Sequence, residues 1–114
     1  MAQAKYMFIY HTAKDSSRGQ PSPEEMQQMF AQWDAWKTKF KASVLDAGDG
    51  LKPSGKVLAG SVVTDGPYPE IKDIVSGYSI IQAESYEAAL VVARENPMAF
   101  VPGASIEIRE LAGY

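Results

Sequence analysis

The chain contains no cysteine. That removes disulfides, thiolate nucleophiles and thiolate metal sites together, while leaving the compartment open. Histidine is almost as scarce, with His11 the only one. One imidazole and scattered carboxylates make no ligand spacing for zinc or iron, so neither a metal nor another cofactor is expected. The 11 Lys and Arg stand against 14 Asp and Glu, a formal charge of −3 with no long block of either sign. Nucleic acid is therefore not an expected partner. No Gly-rich loop joins a strand to a helix, which argues against a phosphate-cradling nucleotide site. Nor does any apolar run approach the ~20 residues that span a bilayer. Residues 1–5 lead into a strand pattern without the charged and apolar regions of a secretion signal, so a cytosolic protein with no membrane partner is expected.

What is present fits one domain over residues 1–114. Residues 5–11 (Lys-Tyr-Met-Phe-Ile-Tyr-His) form a short aromatic and branched run suited to a central strand, and residues 12–20 turn polar as a loop should. Ser22-Pro23-Glu24-Glu25 is a helix start: Ser22 caps, Pro23 sits where its missing N–H costs nothing, and Glu25 completes a capping box. Met26, Met29, Phe30, Trp33, Trp36, Phe40 and Val44 then recur at three- and four-residue steps, predicting a helix that ends near Asp46, with Gly48 and Gly50 as the break.

Residues 56–64 read as a second strand with a bulge at Gly60, and residues 74–82 as a third, joined by an elaborated hairpin connection at 65–73. Ser85 caps a second helix carrying Tyr86, Ala89, Leu90 and Ala93 on one stripe, which Asn96-Pro97 stops. Residues 105–111 alternate apolar and charged as a final strand. The order βαββαβ points to an α+β, ferredoxin-like antiparallel sheet with both helices on one face. The first and third strands are apolar on both alternating sets, so the second sheet face calls for cover, and a homodimer packed sheet to sheet is expected.

The segment least explained by propensity is Val62-Val63-Thr64-Asp65-Gly66-Pro67-Tyr68-Pro69-Glu70-Ile71-Lys72. It resembles the signature of the DGPF subgroup of YCII-related proteins, in which a valine-rich strand runs into Asp-Gly-Pro-Phe followed by Glu and Lys. The first-strand tyrosines Tyr6 and Tyr10, the helix start at Ser22, Gly77-Tyr78 and the closing Ser105-Ile106-Glu107-Ile108-Arg109 are similar to the family's other marks. The resemblance implies a dimeric α/β barrel with a pocket near the signature turn. The family's function is mostly unassigned, some relatives resemble dehalogenating or lactone-processing enzymes, and many DGPF members are encoded beside extracytoplasmic-function sigma factors. Two departures stand out: Tyr68 replaces the family Phe, and the helix histidine of the wider group has no counterpart in residues 22–30.

Asp65 has two readings. Its carboxylate can close the turn by accepting backbone N–H bonds, or it can act as a general base or ligand anchor beside Tyr68 and the indoles. His11 is either a locally bonded imidazole at a strand end or the acid–base partner of Asp65. Phe30, Trp33, Trp36 and Phe40 have the spacing of a helix packed on a sheet, yet can also wall a pocket. Glu70 and Lys72 are expected to be solvated or ion-paired. The function expected is a homodimer that binds a small organic molecule near Tyr10, Trp33, Tyr68 and Tyr78, with cofactor-free acid–base chemistry at Asp65 and His11. The alternative is a non-catalytic interaction or regulatory module linked to a sigma factor.

Overall fold

The computed structural model describes residues 3–13, 22–66 and 73–113. Of the expected loop at 12–20, Thr12 and Ala13 instead extend the first strand and residues 14–20 lie outside the described residues, as do Pro67, Tyr68, Glu70 and Lys72 of the signature segment. The elements run in the order β1 (Ala4–Ala13), α1 (Pro23–Lys39), β2 (Val44–Asp46), β3 (Gly55–Ala59), β4 (Val62–Gly66), β5 (Asp73–Ala83), α2 (Tyr86–Arg94), a short 3-10 turn (Pro97–Phe100) and β6 (Ser105–Glu110). One four-stranded sheet has the order β2-β5-β1-β6, with all its pairs antiparallel. It is the ferredoxin-like order once β2 is counted as the second strand.

That count corrects the expected assignment. Residues 56–64 are not one bulged strand: β3 and β4 fold back on each other as a separate two-stranded sheet, with Ala59 opposite Val62. The reversal needs only Gly60 and Ser61, and Gly60 takes φ +61°, the conformation that the first position of a two-residue type II′ hairpin turn requires. The second position in the sheet goes instead to Val44–Asp46, which had been expected to continue the helix. α1 ends earlier, at Lys39, where Phe40 caps it and donates its N–H to the Trp36 carbonyl 3.0 Å away. Val44 is then drawn to the sheet edge opposite Ile81, so pairing overrides the helical period.

The start of α1 forms as its sequence demands: Ser22 Oγ accepts the Glu25 N–H at 3.1 Å, and the Glu25 carboxylate accepts the Ser22 N–H at 3.4 Å. The helix packs through its second half only. Trp36 is buried and Trp33 half-buried, whereas Met26, Met29 and Phe30 are exposed. Tyr6, Phe8 and Tyr10 point to the helix side of β1 and are buried with Ile81, Ala83, Trp36, Ala89, Val92 and Ala93. Both helices thus cover one face. On the other face Met7 sits beside Ile80 and Ile9 beside Tyr78, all only half-buried.

The segment joining β2 to β3 lies hard against β5. Tyr78 donates its N–H to the Asp49 carbonyl at 3.3 Å, and Leu51 donates to Ser76 at 2.8 Å. Gly48 permits the approach, since it holds φ +74° and a Cβ there would fall 1.7 Å from the Tyr78 carbonyl oxygen. Gly48→Ala is expected to cost about 2–4 kcal/mol, combining left-handed strain with overpacking. Gly60→Ala, where a Cβ meets nothing within 4 Å, is expected to cost only the strain, about 1–2 kcal/mol. Urea denaturation checks both; equal losses would refute the role given to close contact at Gly48.

Candidate functional site

The bulge where β1 meets β5 lies beside a concave wall. Tyr10 pairs with Gly77 and His11 with Val75, which leaves Ser76 as the extra residue. Bulges of this kind re-aim side chains and recur near sites. Beside it is a cavity of about 360 Å³ lined, among the described residues, by Tyr10, Phe30, Trp33, Lys37, Tyr78, Met98 and residues 47–50 and 76–77. The Tyr10 and Trp33 rings meet edge to face at 5.6 Å, and Trp33 meets Trp36 in the same way at 5.5 Å. Three of the four expected ligand-contacting residues, Tyr10, Trp33 and Tyr78, come together here; the fourth, Tyr68, lies outside the described residues.

A polar chain runs behind the aromatic wall. Ser79 Oγ lies 2.7 Å from the Ala47 carbonyl oxygen, which can only accept, so the single Ser79 hydroxyl proton is used there. Tyr10 Oη, 2.7 Å from Ser79 Oγ, must therefore donate to it, and it accepts the Asn96 amide N–H at 3.0 Å. Asn96 Oδ1 in turn accepts the Met98 N–H at 2.8 Å, which fixes the amide orientation. Ser79 and Asn96 are fully buried, and among the described residues no buried side-chain polar atom lacks a partner. Burial pushes the Tyr10 phenol up to about 12, against the smaller opposing pull of its bonds to Ser79 and Asn96. The hydroxyl is neutral, fully engaged and turned into the protein, so Tyr10 offers the cavity its ring rather than its proton.

His11 and Asp65 have different partners. His11 Nε2 is 2.8 Å from Glu107 Oε1, across from β1 to β6 on the half-open sheet face. That bond is the main reason the Glu107 carboxyl sits below the usual range; the Arg109 guanidinium, 3.4 Å from the other oxygen, adds to it. Asp65 is on β4 in the separate hairpin, its side chain 85% exposed and ion-paired with Lys56 from β3. The cavity walls include neither His11 nor Asp65. A second hollow of about 450 Å³, between β3 and the start of β5, reaches Gly66 and Lys56 but not Asp65. Among the described residues no three carboxylate or imidazole groups gather as metal ligands, and no helix is long and apolar enough to cross a membrane.

Sequence reasoning passed over Asn96, Ser79 and Glu107. Asn96 carried a signal, because Asn before Pro caps a following turn as readily as it stops a preceding helix. Ser79 and Glu107 carried none, since only strand register brings them to Tyr10 and His11.

Two outcomes follow. The native state holds the Tyr10 proton to higher pH than the unfolded chain, whose phenols titrate near 10, so its contribution is full below pH ~10 and is lost as pH rises toward 12. Tyr10→Phe is expected to lower stability at pH 8 by about 1–3 kcal/mol, leaving the Asn96 amide without its acceptor, and to flatten the alkaline fall seen in urea melts. His11→Ala is expected to raise the Glu107 pKa, while Asp65→Asn leaves it unmoved. Carboxyl-carbon NMR titration reads both, and a Glu107 shift in the Asp65 variant would contradict the separate pairings.

The model of the YCII-related domain matches residues 4–112. No curated protein matches the chain significantly. With its antiparallel βαββαβ sheet and a domain match over nearly its whole length, the chain belongs to the YCII-related domain family.

Proposed function

We propose that this YCII-related protein is a DGPF-type homodimer that binds a small organic molecule in the cavity bounded by Tyr10, Trp33 and Tyr78. What supports the binding role is that these three residues all border one hollow of about 360 Å³. A cavity of this size, mostly apolar and held by a rigid sheet, is the usual form of a small-molecule site. Dimerisation is supported by burial that alternates along β1 and β5 between fully buried and half-buried positions. Pairing two such faces would cover Met7, Ile9, Tyr78 and Ile80 and close the barrel. It would also enclose His11 and Glu107 in the contact, and cofactor-free proton transfer falls to that pair more naturally than to the solvated Asp65.

A second reading is an interaction or regulatory module. It is favoured by the β3–β4 hairpin, whose Leu58, Val62 and Val63 are all at least 60% exposed; a sigma factor is the partner class that the DGPF resemblance brings. Light scattering and NMR titration with aromatic fragments separate the two. The binding reading expects twice the chain mass and movement of the Trp33 indole N–H signal, with the Trp36 signal, bonded to the Val92 carbonyl at 3.0 Å, left in place. A monomer whose indole signals ignore every fragment would favour the module.

A further inference from the structure

We infer that the cavity selects planar aromatic monoanions, with Lys37 as the group that reads their charge. The inference rests on the binding role proposed above and adds the chemical class.

The floor is backbone. Gly48, Gly50 and Gly77 bring no side chains into the hollow, so a flat ring can lie against peptide planes there while Trp33 and Met98 contact its faces and edges. Benzene fits an apolar cavity of about 150 Å³. A hollow of about 360 Å³ therefore takes a six-membered ring with a substituent.

Among the described residues two charged ones line it, Lys37 and Asp49. Asp49 has a local task, as its Oδ1 accepts the N–H of Gly50 at 2.8 Å and steadies the loop that makes the floor. Among the described residues Lys37 pairs with Asp34, three residues earlier on α1, at 3.2 Å with side chains 44% and 73% exposed. An exposed pair of that spacing holds its cation weakly, so the ammonium can turn to an incoming carboxylate at little cost. The chain as a whole is negative. At physiological ionic strength, however, charges beyond about 8 Å are screened, and the cation in contact dominates.

Phenylacetate, phenylacetamide and phenethylamine share a ring and differ in charge, which makes them suitable probes at pH 7.5. Calorimetry on the full chain should find the acid binding at least fivefold tighter than the amide, with the amine weakest. Lys37→Gln replaces one exposed helix former by another and should erase the preference without changing the helical circular dichroism; Lys41→Gln, off the cavity, should keep it. Tightest binding by the amine would make Asp49 the charge reader and overturn the inference while the binding site stands. So would equal affinities, or a preference that survives Lys37→Gln. Failure of all three to bind would overturn the inference and the binding role together.

Discussion

The hydrogen-bond chain from Asn96 through Tyr10 and Ser79 to the Ala47 carbonyl is the constraint on which the rest depends. It crosses the molecule from the turn after α2, through the two central strands, to the end of β2. Each hydroxyl has one proton to give, so the direction of donation is determined from one end to the other. A polar chain buried in an apolar core is stabilising only when complete, because each orphaned member costs about 1–3 kcal/mol. The relative positions of four segments are thereby tied together. The same chain turns the Tyr10 hydroxyl inward and leaves its ring as cavity wall, so a core element and a site element are one residue.

The edge of the sheet shows how little regular structure suffices when backbone contact is close. β2 has three residues, too few to hold an edge by ladder bonds alone. The adjoining segment compensates: Asp46 Oδ1 accepts the Gly48 N–H at 2.8 Å, and Gly50 bridges to Gly77. The Ser76 carbonyl at the bulge is taken by Leu51 rather than left unpaired. The cavity floor is thus a by-product of securing a short edge strand.

Much of the fold was legible in local chemistry. The Ser22 capping box, the Ser85 cap and the continuous apolar run of β1 are interactions between near neighbours, and their signals survive in one dimension. β2 was not legible, since Val44 and Leu45 satisfy a helical period and are strand only because Ile81 offers pairing. The Gly60-Ser61 turn carried a readable hairpin signal, but the flanking residues looked equally like one bulged strand. Of the site, the aromatic residues were legible as a class, and Tyr10, Trp33 and Tyr78 border one hollow. The pairing of His11 was not, because it depends on the register between the first and last strands, which places Glu107 opposite Ile9 and diagonal to the imidazole.

Among the described residues the hairpin of β3 and β4 is paired only within itself in the sheet system, and its residues are almost all exposed. A two-stranded ribbon alone is marginal in water. The backbone amides of the two sheets are therefore expected to fall into two protection classes against exchange with solvent deuterium. Those of β1 and β5 open only with the whole domain, whereas those of the hairpin open at far lower free energy, as a unit of their own. A single polypeptide thus carries a cooperative body and a semi-independent arm, joined at the glycine-rich edge where the cavity lies.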